Sequence, residues 1–220
     1  MRKLSVQTFV TLDGVMQAPG GPEEDPTGGF EHGGWSAPYW NDMMGRVMGE
    51  SMARPSELLL GRKTYEVFAA HWPYATDEPG AAELNSAKKY VVSTTLTKAG
   101  WNNSTIISGD VPQEIAKLKE ADGHELRILG SSELIQTLLR HDLIDEFGVW
   151  ISPVVIGKGK RLFGDGTIPA GLKLLDSKTS TTGVVILTYG RGDALPTGSF
   201  ALEESTDAEV ARREKMAEER

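Results

Sequence analysis

The chain has 220 residues, 39% of them hydrophobic, and a mean hydropathy of −0.28, which suits one soluble globular domain with a sizeable core. A net charge of −8 and a pI of about 5.1 argue against a nucleic-acid binder or a basic membrane-surface protein. The absence of cysteine excludes disulfides, thiolate metal sites and a cysteine nucleophile, and no apolar run approaches the roughly 20 residues of a membrane helix.

The amino terminus lacks the long apolar stretch of a signal peptide, which fits a cytoplasmic protein whose first strand is Leu4–Thr11. There Leu4, Val6, Thr8 and Val10 alternate with Ser5, Gln7 and Phe9, the period of a strand. Asp13-Gly14 ends it. From Gln17 to Trp40 the chain is rich in glycine, proline and aromatics without periodicity, and reads as a long loop of the kind that often forms a functional lid. Asn41–Ala53 reads as a methionine-rich helix, Ser56–Leu60 as a strand and Arg62–Ala70 as a helix with Tyr65 and Phe68 on one face. His71–Ala82 reads as a loop.

Lys89–Ser93 and Ser104–Ile107 read as short buried strands. Pro112 opens a helix with Asp110 and Gln113 placed for a capping box and Gly123 as its stop. A strand at Glu125–Leu129, a helix at Ser132–Arg140 and a strand at Phe147–Ile151 follow. Pro153–Phe163 is a glycine-bearing segment. Leu172–Thr179 and Val184–Tyr189 flank a hairpin turn at Ser180-Thr181-Thr182-Gly183. Strands alternating with helices imply an α/β fold with a mostly parallel central sheet, closed by an antiparallel C-terminal edge hairpin. Residues 1–195 form the body, and 196–220 a charged segment. Within it, Ala201–Arg220 reads as a solvated tail rather than an exposed helix.

Candidate chemistry sits where strands hand over to helices. Leu58-Leu59-Leu60 runs into Gly61, and Arg62, Lys63 and Thr64 fall in the first turn of the next helix. Open N–H groups, the positive end of the helix dipole, two cations and a hydroxyl converge there, as a phosphate requires. Arg127-Ile128-Leu129-Gly130-Ser131-Ser132 repeats the pattern, although Ser131 and Ser132 also fit a plain helix cap. Ser93-Thr94-Thr95 offers hydroxyls at a third strand end. Ligands of parallel sheets bind beyond the carboxyl ends of the strands, so the three junctions together imply an extended phosphorylated ligand such as a dinucleotide. Cations beside hydroxyls favour NADPH over NADH.

Asp13 falls at the same edge, where a carboxyl can orient or protonate a heterocycle or simply make a turn. Trp35, Tyr39 and Trp40 suit stacking on a flat ring or packing of the loop. The histidines 32, 71, 124 and 141 have no metal-ligand spacing, and no GxSxG elbow occurs, so no metal is expected and serine hydrolysis is not supported.

Val10–Gly14, Leu58–Glu66, Tyr90–Leu96, Ile128–Leu134, Leu143–Phe147 and Pro153–Phe163, in this order, resemble the dihydrofolate reductase-like superfamily. Within it the chain is most similar to the C-terminal reductase domain of the bifunctional riboflavin-biosynthesis deaminase–reductase, over roughly Lys3 to Tyr189. The resemblance implies a three-layer α/β fold and a homodimer. It also implies hydride transfer from NADPH to a small pyrimidine- or pterin-like substrate, as in 5-amino-6-(5-phosphoribosylamino)uracil reduction. Carried over, Gly61, Arg62, Lys63 and Thr64 would bind the cofactor's phosphates, Ser93 and Thr94 its adenosine end. Gly130, Ser131, Ser132 and Glu133 would lie along the pyrophosphate and nicotinamide. Asp13 would act on the substrate, with Trp40, Gly157 and Lys158 beside it. The family's paired glycine is Gly130-Ser131 here, the zinc deaminase half is absent, and the helix acid of true dihydrofolate reductase has no clear counterpart. A cofactor-binding sensor or scaffold without turnover, and genuine dihydrofolate reduction, are the alternative readings.

Overall fold

The computed structural model describes residues 1–219. Alternation along each strand sends apolar side chains to both faces of one sheet, and helices cover both. The strands are β1 Leu4–Thr11, β2 Ser56–Gly61, β3 Lys89–Val92, β4 Ser104–Ile107, β5 Glu125–Leu129, β6 Glu146–Ser152, β7 Leu172–Thr179 and β8 Val185–Arg191. They lie in the order β4-β3-β2-β5-β1-β6-β8-β7. The strands from β4 to β6 pair in parallel, whereas β8 pairs antiparallel with β6 and β7 with β8. This is the mostly parallel α/β sheet with an antiparallel edge hairpin that the sequence implies.

The helices are α1 Asp42–Met52, α2 Arg62–His71, α3 Ala81–Ser86, α4 Val111–Glu120, α5 Ser132–Arg140 and α6 Asp207–Glu218. Within β2, Leu59 joins a core with Ile115 of α4 and Ile135 and Leu138 of α5. Its neighbours Leu58 and Leu60 join Tyr65 of α2 and Leu84 of α3 on the opposite face. On the face that holds Phe9, α1 contributes Met44, packed with Trp150, Val184 and Ile186. Three layers result, with α1 to α5 covering the two faces of the sheet. Among the described residues no helix is long and apolar enough to cross a membrane.

Two local readings change. The stretch read as a loop at His71–Ala82 ends inside the short helix α3, which begins at Ala81 and whose six residues are too few to display a helical period. Residues Asp207–Glu218, read as a tail, are the helix α6. Thr206 caps it by accepting from Glu209 N–H, and Glu209 pairs with Arg212 and Arg213 one turn on. Such capping and charge pairing hold a helix without an apolar stripe, and α6 buries no residue. The long loop is a loop as read, and it is packed down. Trp35 and Phe30 pack with Val15, Val154 and Ile156, and Trp35 donates its indole N–H to Gln17 O at 2.8 Å. Lys160 Nζ lies 2.5 Å from Asp25, pinning the loop to the segment after β6.

Lys89 is a fully buried cation at the start of β3. Its ammonium donates to Ala87 O at 2.7 Å, Asn102 O at 3.1 Å and Asn85 O at 3.2 Å, and lies 4.1 Å from the Trp101 ring centroid. Burial pushes its pKa down to about 8, still above neutral, so the charge persists and ties the end of α3 to the approach of β4. Lys89→Met leaves these carbonyls without their donor. We expect it to lower stability by about 1–3 kcal/mol, seen as a reduced urea midpoint at unchanged slope. An unchanged midpoint contradicts this role.

Candidate functional site

Parallel pairing brings the carboxyl ends of β3, β2 and β5 side by side, so the junctions after Val92, Gly61 and Leu129 share one rim. Two of them are joined directly. The backbone N–H of Gly61 donates to Ser131 Oγ at 3.0 Å, and the N–H of Ser131 donates to Thr64 Oγ1 at 3.0 Å. Ser131 holds the N-cap position of α5 in a left-handed conformation, φ 63°, yet makes no cap bond to its own helix. Its hydroxyl serves the neighbouring junction instead. Close approach also explains Gly130, since a Cβ there would stand 3.4 Å from Thr64 Cγ2 and its φ is +62°.

Neither α2 nor α5 has a side-chain cap, because Gly61 has no side chain and Ser131 turns its own away. By contrast α1, α4 and α6 are capped by Asn41, Asp110 and Thr206. Two adjacent helix starts therefore present first-turn N–H groups and aligned dipoles to the same rim, the arrangement that receives phosphate oxygens. Arg62 sits there half-exposed, paired with Glu66 at 2.8 Å, and Lys63 is exposed. Ser132 is partly buried and Glu133 exposed in the first turn of α5. Ser93 is buried, and its Oγ accepts from Thr95 N at 3.1 Å and Leu96 N at 2.8 Å. That hydroxyl builds the turn, leaving Thr94 exposed beside it.

Asp13 follows β1 at the same edge and closes the other half of the rim. Its carboxylate takes the Thr11 hydroxyl at 2.5 Å, Gly157 N–H at 2.7 Å and Ile156 N–H at 3.2 Å. Arg161 lies 3.5 Å from the carboxylate and also donates to the Asp13 carbonyl and to Gly157 O. The Thr11 hydroxyl, opposed by burial and helped by the two N–H groups, holds the Asp13 pKa at about 2. A carboxyl so placed is ionised at neutral pH and orients the 156–161 segment rather than donating a proton. Gly157 is thus fixed through its backbone, while Lys158 is exposed. Trp40, 47% exposed, stacks on Trp150 at 6.2 Å and 8° and abuts Phe9, so it presents a flat apolar face beside the start of α1.

A family model for the RibD C-terminal domain matches residues 2–186. The chain belongs to the RibD C-terminal domain family. Its relatives include the uncharacterized protein YyaP of Bacillus subtilis (strain 168), 30% identical over 196 residues that span 86% of this chain and 94% of that protein. YwjB of the same organism, also uncharacterized, is 30% identical over 124 residues, 55% of this chain and 66% of that protein. Among solved structures, a candidate riboflavin biosynthesis protein of Shewanella sp. PV-4 superimposes with a TM-score of 0.64 at 24% identity. The match covers 87% of this chain and 99% of that one. A pyrimidine reductase-like protein of Corynebacterium diphtheriae gives a TM-score of 0.56 at 13% identity, covering 86% and 92%. At these identities the structural likenesses show the fold, and the family is reductase-like.

Beyond the rim, the RibD C-terminal fold here contains residues that the sequence reading did not select. A cavity of about 210 Å³ lies between α1, α3 and the sheet, with Gln7, Arg54 and Arg127 among its lining residues. Gln7 Nε2 donates to Ser51 Oγ at 2.7 Å, and Arg127 Nη1 donates to Ser51 O at 2.9 Å. The available signal was a polar residue between apolar neighbours in a strand: Gln7 beside Val6, and Arg127 between Leu126 and Ile128.

The Asp13 clamp has a pH signature. With a folded pKa of about 2 against an ordinary 3.8, its stabilisation is full above pH 3.8 and is lost as pH falls toward 2. Asp13→Asn should therefore lower stability by roughly 1–2 kcal/mol at neutral pH and equally at mildly acidic pH. Urea melts across the range should show the gap closing only below pH 3.8. A gap that changes between neutrality and mild acidity contradicts the assignment.

Proposed function

We propose that the chain is an NADPH-dependent reductase of the riboflavin-biosynthesis reductase-like type, acting on a small pyrimidine- or pterin-like compound. The observation that carries this reading is the pair of uncapped helix starts, α2 and α5, locked side by side through Ser131. The residues present fit an anionic dinucleotide: open first-turn N–H groups, Gly130 at the closest approach, and Arg62 and Lys63 as cations. When bound, NADPH supplies two electrons and a proton as a hydride. The first turns of α2 and α5 bind its pyrophosphate, and Arg62 grips the additional ribose phosphate bidentately. Asp13 positions the 156–161 segment, and Trp40 offers a flat wall to the heterocycle. The exposed leucines 172, 174 and 175 of β7 support pairing of two copies.

One observation favours a second reading, nucleotide binding without turnover: Asp13 is held as a carboxylate and gives the substrate no proton at neutral pH. Dihydrofolate reduction, the remaining alternative, is separated from both by an NADPH-oxidation assay with dihydrofolate.

Titration with NADPH and NADH, followed by tryptophan fluorescence, tests the cofactor directly. NADPH should bind more tightly than NADH, and Arg62→Ala should weaken NADPH by about tenfold while sparing NADH. Glu66→Gln, which frees Arg62 from its helix partner, should strengthen NADPH binding. Equal affinity for the two cofactors overturns the placement of the extra phosphate.

A further inference from the structure

Trp40 is 47% exposed, yet the chain on both sides of it is gripped by one relay of hydrogen bonds. Asn41 caps α1 by accepting from Met44 N–H through Oδ1. Its Nδ2 donates to Ser180 Oγ at 2.7 Å and to Thr181 Oγ1 at 3.1 Å. Ser180 Oγ and Thr182 Oγ1 lie 2.7 Å apart, and Thr182 Oγ1 donates to Tyr39 O at 2.5 Å. A hydroxyl carries one proton, and that of Thr182 goes to Tyr39, so Ser180 is the donor between the two. The relay therefore runs one way, from Asn41 through Ser180 and Thr182 to Tyr39, and closes around Trp40.

Residues 180–183 form the turn between β7 and β8. Antiparallel pairing sets Val185 opposite Ile151, so the turn stands beyond the carboxyl end of β6, on the rim that holds Asp13. It is also seated on Pro153: a Cβ at Gly183, whose φ is +88°, would lie 3.3 Å from Pro153 Cγ. Serine and threonine in turns commonly bond their own backbone, and Ser180 does so by accepting from Thr182 N–H at 3.1 Å. The Thr182 hydroxyl instead leaves the turn for Tyr39. Trp150, on which Trp40 stacks, is fixed in the core with Met44, Val184 and Ile186, so a flat ring laid on Trp40 extends a stack already rooted in the sheet. We propose that Asn41, Ser180 and Thr182 are positioning residues that hold Trp40 at one angle as a stacking platform for a planar heterocycle, which makes the edge hairpin part of the binding site. That this ring is the substrate of the reductase rests on the function proposed above; that the relay orients Trp40 does not.

Fluorine NMR of the intact protein carrying 5-fluorotryptophan at its five tryptophans tests the relay, with Trp40→Phe identifying the Trp40 signal. Thr182→Val removes the last hydroxyl, and Asn41→Ser keeps a cap on α1 with a side chain too short to reach the turn. Each should move and broaden the Trp40 signal while those of Trp35, Trp72 and Trp101 stay in place. Thr182→Ser, which keeps the hydroxyl, should leave the Trp40 signal where it is. Pterin, used as the planar probe, should shift that signal in the unaltered protein, and its affinity should fall about tenfold in Thr182→Val, the scale of one ring stack lost. A Trp40 signal unmoved by either variant, or unmoved by pterin, would overturn the proposal. Should Thr182→Val fail to fold, Asn41→Ser decides the same question. A parallel NADPH titration separates the two ideas. NADPH binding with no pterin effect at Trp40 removes the platform and leaves the reductase reading standing. A pterin shift without NADPH binding supports the platform and removes the reductase reading.

Discussion

The architecture of the rim depends on one side chain that bridges two turns. Ser131 receives the N–H of Gly61, 70 residues earlier in the chain, and gives its own N–H to Thr64. Holding a serine at φ 63° costs about 1–2 kcal/mol, and two hydrogen bonds of ordinary net strength offset this. The consequence reaches beyond stability. By turning its hydroxyl toward β2, Ser131 leaves α5 uncapped, and by taking up Gly61 N–H it fixes where the open first turn of α2 begins. On the proposed function, two dipole ends that would otherwise be independent act as one receptor for anionic oxygens.

The rest of the fold keeps that receptor in place. Parallel pairing of β3, β2, β5, β1 and β6 sets all their carboxyl ends at one edge. The core under Leu59, Leu126 and Ile128 fixes α4 and α5 against it. On the other half of the rim, the Asp13 carboxylate ties the 156–161 segment to the end of β1, and Lys160 ties that segment to the aromatic loop. The two halves use opposite strategies. The α2–α5 half leaves donors open, whereas in the Asp13 half Asp13 pairs with Arg161 and Lys160 with Asp25. On the proposed function, ligand chemistry belongs to the first half and positioning to the second.

Much of the sheet was legible because its signals are local. Strand alternation, glycine at strand ends and an Asp110 cap each lie within a few residues, and the helices and strands around them follow. The shared rim was legible too, since parallel topology puts successive strand ends on one edge. What escaped depends on partners distant in sequence. Ser131 looked like an ordinary cap because its acceptor role involves β2. Asp13 read as either a heterocycle-facing carboxyl or a plain turn residue, because its partners Ile156 and Gly157 lie 143 and 144 residues away. The helix α6 has no apolar stripe, so only the Thr206 cap and the Glu209 pairs marked it. Arg127 was readable as a polar residue in an apolar strand, yet its bond to Ser51 O exists only once α1 covers the sheet.

Backbone amide NMR during NADPH titration tests most directly whether the bridged rim acts as a single binding unit. The account predicts that the amides of Arg62, Lys63 and Thr64 shift together with those of Ser132 and Glu133, all following one saturation curve. Shifts confined to one of the two helix starts, or two starts that saturate independently, would contradict it.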